Sequence, residues 1–491
     1  MSLSSEKLDH FDGEPVHILD ADRAFANGYS SILVDEEASH DIKLRTMSWQ
    51  KAMYLLFGDQ VCLAIMAQAW SFMVLGWVPA LIVTFLAGAL FWISSLTMWK
   101  YLMKHPHIVD VCELGASLFG GSRLAYEWTG FMLLANNILL IGFHVFTGAR
   151  VINTLSDGAN CTIIYSVGEC LNPQTGRRVA YASKFVSVVT VIGILLSLPR
   201  TLNHVSIMSI FSAICMGIAI LLFLIFAGIE DHPSAGYKGV YPTAGAKVYT
   251  TAFPADGVSW VDCVNAVLNI TFLWVPQILF PTFIAEMERP QDFPKALAGL
   301  AGMSFVLFIV VPIVGYRYLG QYATAPSFGS LEPVYKKASF AFVIVPTIVI
   351  GVIYCNVAAK YIYGRLMKNS VHAHSNTKLG WGVWVAVVTG IWALSFILGS
   401  VIPSMGDFLS LLGAAFDSFF GFIYWALAYW HLYKTELFSG PRRTVNTLVH
   451  IFMMACGLFL LGPGLYAAVE AIITDYAGST RPAFSCASNS I

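Results

Sequence analysis

Charged and amide side chains inside apolar runs are the residues of this chain most able to do chemistry, because a bilayer makes them costly. Insertion of an ionised group at mid-helix costs roughly 2.5–3.5 kcal/mol, so each such group is a functional candidate. Asp59, Lys360 and Asp417 lie inside long apolar stretches, and Glu286 closes another. Asp59 fits a protonation or gating role, or a partner for Lys51 at the end of the same helix. Asp417 needs a partner facing the bundle, and the local sequence does not name one. Asn136 and Asn137 are paired amides at mid-depth, suited to interhelical hydrogen bonds or to substrate contact. His144 suits a proton relay or a structural hydrogen bond. Glu286, with Glu288 and Arg289, reads as a salt-bridged hinge or as interface anchors.

The stretch that must position some of these groups is CVNAVLNITFLWVPQILFPTFIA, residues 263–285. Pro276 removes a backbone donor at mid-depth and its ring opposes the carbonyl of Phe272. A backbone group freed within the bilayer has to line a cavity or be rescued by neighbours. Broken helices at the midplane are where secondary transporters hold small solutes.

Composition fixes the solvent. Of 491 residues, 57% are hydrophobic and 12% charged, against roughly 25% charged in soluble domains. The near-zero net charge of −1 gives no sign of nucleic acid. Residues 1–47 are polar and acid-rich, without a signal-peptide core, and read as a disordered cytosolic tail. Residues 48–475 form the membrane domain, and 476–491 a short extracytoplasmic tail.

Eleven apolar spans follow, near 50–75, 77–100, 125–155, 180–199, 203–229, 260–286, 296–319, 338–364, 379–402, 406–432 and 446–473. The expected fold is an all-α polytopic membrane protein. Ten spans as two inverted groups of five, with one appended, account for the odd number. The first span of each half is interrupted: Gly58-Asp59-Gln60 to Gln68 in one, Trp274 to Gln277 in the other. With the N-terminus inside, most of the 28 Lys and Arg fall on the cytosolic side, as the positive-inside rule requires. Asn160-Cys161-Thr162 is a glycosylation sequon that this orientation puts outside. Cys161 and Cys170 share that loop and can form a disulfide if it is extracytoplasmic. Cys62, Cys215, Cys355 and Cys456 sit within apolar runs and read as small core residues. No metal set, nucleophile–base pair or phosphate-cradling glycine loop occurs, so neither an enzyme nor a cofactor is expected.

FPTFIAEMERPQDFPKAL (280–297), GVIYCNVAAKYIYGRLMKNSVHAHSNT (351–377), VIPSMGDFLSLLGAAF (401–416) and LGWVPALIV (75–83) resemble segments of the fungal amino acid/auxin permeases. The similarity spans about residues 45–475 and is nearest the neutral amino acid type. It implies a LeuT-like 5+5 inverted repeat and proton-driven import of neutral amino acids at the plasma membrane rather than the vacuole. It also implies a site. The substrate carboxylate would meet backbone N–H groups around Ala64, Ile65, Met66 and Ala67, at a half-helix N-terminus. The ammonium would meet carbonyls of Phe272, Leu273, Trp274 and Val275, with Asn137 and Gln277 nearby and the Phe272 and Trp274 rings around the side chain. Lys360 would hold the place a sodium ion takes in related folds, or snorkel beside Arg365. Two positions depart from the family: Ala64 to Ala69 replaces a glycine-bearing break, and Pro276 replaces a glycine. Those departures keep open a transporter of an amino-acid-derived metabolite, or a nutrient-sensing receptor on a transporter scaffold.

Overall fold

A computed structural model describes residues 45–155, 170–171, 178–179, 184–200, 202–230, 247–368, 370–373, 375–401 and 404–478. The N-terminal tail before residue 45, the sequon at Asn160, Cys161 and the segment after residue 478 lie outside the described residues. Cys170 is described as backbone only, in a two-residue strand β1 (Cys170–Leu171) paired antiparallel with β2 (Arg178–Val179).

The bundle is helical. The first span is α1 (Trp49–Gln60), a 3-10 turn (Leu63–Ala67) and α2 (Gln68–Leu75). Then come α3 (Trp77–Lys104), the short α4 (Val111–Leu118), α5 (Arg123–Leu155), α6 (Lys184–Leu196) and α7 (Leu202–Ile229). The sixth span is α8 (Trp260–Phe272), a 3-10 turn (Pro276–Ile278) and α9 (Phe280–Glu286). The second half continues through α10 (Phe293–Leu319), α11 (Pro333–Leu366) and α12 (Lys378–Gly399). The tenth span is α13 (Met405–Leu412), a π-helical stretch (Gly413–Ile423) and α14 (Tyr424–Leu432). The last is α15 (Pro441–Phe459) followed by α16 (Leu465–Gly478), joined through a π turn. Among the described residues eight helices are long and apolar enough to span a bilayer by themselves, and the α1–α2 pair, bent by 40°, makes a ninth. The broken α8–α9 pair and the shorter α6 fall on the sixth and fourth expected spans.

Local chemistry explains the helix starts. Ser48, Ser259, Thr377 and Ser404 each accept a backbone N–H at the start of their helices, supplying donors with partners the helix itself lacks. Asp110 caps α4 by accepting from Cys112 and Glu113 at 2.8 and 2.9 Å. Glu113 reaches back to the Val109 N–H at 2.8 Å, a capping-box arrangement. The turn between α2 and α3 needs Gly76: φ is 75°, and a Cβ there would meet the Phe253 backbone at 2.6 Å.

The two broken spans sit side by side at the centre, where glutamines hold the breaks together. Gln60 Nε2 donates to the Leu273 carbonyl at 2.9 Å, and Ser304 Oγ donates to Gln60 Oε1 at 2.7 Å. Beyond the break, Gln68 Nε2 donates to the Asn269 carbonyl at 2.9 Å.

The ends of the bundle differ. At one end a vestibule of about 950 Å³ lies among α4, α5, α9 and α11, on the side where the Lys/Arg pattern expects cytosol. At the other end the segment after α10 folds over the first span. There Ser327 Oγ donates to the Met66 carbonyl at 2.5 Å, and Phe328 packs edge-on to Phe223 and Phe340. The backbone of Thr251 and Ala252 accepts from Trp77 and Val78 at 3.0 and 2.9 Å, adding a second cover. Among the described residues the vestibule end is open, and the other end carries these two covers.

Candidate functional site

Both helix breaks face one small cavity of about 30 Å³, room for roughly two waters at about 10–15 Å³ each. Its wall includes Asp59, Gln60 and Cys62 from the first span, Phe272 to Pro276 (Trp274 excepted) from the sixth, Asn136, Phe143 and His144 from α5, Tyr354 from α11 and Asp417 from the tenth. Asp59, Asp417, Asn136 and His144 are all buried there.

The break in the first span falls earlier than the sequence suggests. Helix α1 ends at Gln60, Cys62 is extended (φ −111°, ψ 178°), and Ala64 to Ala67 already belong to the 3-10 turn. Those four residues are wholly buried but do not line the cavity. The start of a helical turn leaves its first N–H groups without intrahelical partners, and no side chain caps this one. Of this turn and the residue that leads into it, only Cys62 reaches the cavity wall.

In the sixth span, Phe272, Leu273 and Val275 reach the cavity wall and Trp274 does not. Trp274 is packed away among Phe91, Phe305 and Phe308, at centroid distances of 5.7, 6.0 and 4.9 Å. The carbonyls are largely committed: Phe272 accepts from the Val275 N–H at 3.3 Å and Leu273 accepts from Gln60. The carbonyl opposite Pro276 is thus not left open. Gln277 points to α3, its Nε2 donating to Ser94 Oγ at 3.0 Å.

Of the paired amides, Asn136 lines the cavity and Asn137 supports it. Asn137 Nδ2 donates to the Tyr354 carbonyl at 3.3 Å, while its Oδ1 accepts from Asn136 Nδ2 at 3.3 Å. This relay leaves Asn136 Oδ1 buried without a partner. Asp59 Oδ2 accepts from the Tyr354 hydroxyl at 3.4 Å, and its Oδ1 has no partner. Tyr354 is the residue that reading the sequence missed. One tyrosine among 21 carries no local mark, and only packing brings it to Asp59.

Lys360 and Glu286 belong to the vestibule, not the cavity. They form an ion pair with side chains 19% and 5% exposed. Lys360 lies six residues after Tyr354 on α11, roughly 9 Å along the axis at 1.5 Å per residue. Arg365 also lines the vestibule and pairs with both oxygens of Glu127, at 2.6 and 2.9 Å. At the mouth, burial pushes the Asp110 and Glu113 carboxyls above their ordinary range, against the hydrogen bonds they accept. Beside it, Met47 bridges the end of α9: its N–H donates to Glu286 at 3.1 Å and its carbonyl accepts from Glu288 at 2.9 Å.

Comparison with known proteins gives this arrangement a family. The chain is 25% identical over 448 residues to the "N amino acid transport system protein" of Neurospora crassa, covering 91% of this chain and 89% of that one. It is 24% identical over 460 residues to a "transmembrane transporter" of Gibberella moniliformis, covering 93% and 91%. Among solved structures it resembles Mhp1, a nucleobase-cation-symport-1 family transporter in a closed conformation with bromovinylhydantoin bound. The TM-score is 0.50 at 11% identity, over 87% of this chain and 94% of that one. That likeness concerns the fold: a LeuT-like 5+5 bundle with one appended span. The model of the transmembrane amino acid transporter protein family matches residues 45–470, from four residues before α1 into α16, and the chain belongs to that family.

Proposed function

We propose that this protein imports neutral aliphatic or aromatic amino acids together with protons across the plasma membrane, with residues 1–47 cytosolic. The observation that carries the proposal is the cavity bracketed by both helix breaks, with Asp59 and Tyr354 in its wall and a vestibule at the end lined by Lys360 and Glu286. The substrate carboxylate meets the N–H groups at Cys62–Ala64, and Phe272 and Phe143 surround the side chain. At about 30 Å³ the cavity is too small for an amino acid, so loading requires the two broken spans to move against α5 and α11.

Asp59 is the proton carrier in this reading. It lies in the last turn of α1, where the helix's negative end disfavours a fixed anion, and Tyr354 donates to it. Lys360 and Glu286 form the inner gate, since their pair ties the moving α9 to α11. The name of the Neurospora relative supports amino acids as the substrate class. In the same orientation Asn160 is glycosylated and Cys161–Cys170 is an external disulfide.

Uptake of labelled leucine and phenylalanine into proteoliposomes, with and without an inward proton gradient, tests this reading. Accumulation is expected to require the gradient and to collapse with a protonophore. Asp59→Asn is expected to reduce gradient-driven accumulation more than it weakens substrate binding. Accumulation that follows sodium and ignores the protonophore would reject proton coupling.

A further inference from the structure

The cavity contains more acceptors than donors. Among its lining residues are two carboxyls and, apart from the imidazole of His144, no basic side chain. Asp59 has the Tyr354 hydroxyl as a donor. Asp417 has nothing: it is 6% exposed, and its Oδ2 is buried without a partner. Asn136 Oδ1 in the same wall is also unpartnered. Buried polar atoms are normally satisfied, and an exception calls for an explanation.

Local backbone geometry singles out Asp417 as well. It sits within the π-helical stretch Gly413–Ile423 of an otherwise α-helical span. Such widened turns occur frequently at functional sites, since they turn a side chain out of the regular helical register. On the next position Ser418 Oγ bonds back to the Ala414 carbonyl at 2.7 Å, so the hydroxyl closest in sequence is not available to Asp417. A ligand group that brings several N–H donors and a positive charge would satisfy Asp417 and Asn136 together.

We propose that Asp417 is the counter-ion of the substrate's ammonium group. This deepens the reading of the cavity as the transport site and divides the two carboxyls: Asp417 binds the amine, Asp59 carries the proton. It also reassigns the ammonium from the sixth-span carbonyls, two of which are taken by Val275 and Gln60. The consequence is a substrate class. A solute needs a protonated amine, and an analogue of the same shape with a hydroxyl in its place is refused.

Exchange across liposomes without any pH gradient tests this apart from proton coupling. The vesicles are preloaded with labelled leucine and challenged outside with leucine or with its 2-hydroxy acid analogue. The wild type is expected to prefer leucine at least 100-fold. Asp417→Asn is expected to lose about 100-fold in leucine affinity, the scale of truncating one partner of a buried charge pair, and to narrow the preference below tenfold. Asp417→Glu, keeping the charge, is expected to restore the preference with weaker binding. Ligand-induced thermal stabilisation in detergent reads the same affinities in variants that no longer transport. An Asn variant that keeps the full preference, or a Glu variant no better than Asn, overturns the assignment while leaving proton coupling intact. A wild type neither exchanging nor stabilised by any amino acid overturns both.

Discussion

Glu286, in the last turn of α9, and Lys360 of α11 are ion-paired across 74 positions of sequence at the deep side of the vestibule. Removing one member of a buried pair leaves a desolvated charge, whereas replacing both is often neutral. Lys360→Met is therefore expected to destabilise by about 3 kcal/mol, the low end for broken buried pairs because the lysine is partly wet. Lys360→Met with Glu286→Leu is expected to recover most of that loss while transport stays impaired. Thermal melting of the purified variants checks this, and equal melting of single and double variants would remove the pair from the energetics.

The break in the sixth span depends more on Gln60 than on Pro276. Gln60 is the donor to the Leu273 carbonyl and the acceptor for Ser304, so Gln60→Leu strands two buried polar groups at about 1–3 kcal/mol each. Pro276→Ala adds one N–H at the start of a 3-10 turn and strands nothing. Leucine uptake is expected to fall at least tenfold in Gln60→Leu and less than threefold in Pro276→Ala. The reverse order would make the proline the cause of the break.

A pH dependence of stability is expected from Glu230, just past the end of α7. Burial raises its carboxyl from 4.5 to about 7 against a hydrogen bond from the Glu332 N–H, with Lys336 and the Glu332 carboxyl as nearby charges. Its folded-state value lies above the unfolded one, so the folded protein binds the extra proton. The resulting stability is full below pH 4.5 and lost as pH rises towards 7. Melting temperature is expected to fall between pH 5 and 8, and Glu230→Gln to flatten that slope. A variant with the wild-type slope would assign the effect to another group.

Orientation is testable through the sequon. Asn160→Gln is expected to increase electrophoretic mobility when the protein is made in a glycosylating host. A cysteine reagent confined to the outside is expected to reach Cys161 after reduction. Labelling only from the cytosolic side would invert the topology.

The sequence by itself determined the solvent and which apolar spans are interrupted. Those follow from hydropathy over about 20 residues and from interruptions such as Pro276 and Gly58-Asp59-Gln60, all local properties. The short α4, capped by Asp110 and Glu113, was not read from the sequence, because hydropathy alone makes the segment between the second and third spans a plain loop. Tertiary structure decided which interrupted residues share a cavity. Asp59 meets Tyr354 across 295 positions, and Asp417 arrives from the tenth span through a π turn that no residue type specifies. Trp274 and Gln277, beside the break, turn away to α10 and α3, because a helix end rotates each successive side chain by about 100° and the neighbours fill whichever side is apolar. Sequence spacing fixed which spans break; packing of distant helices fixed where each break falls and which side chains face the space it leaves.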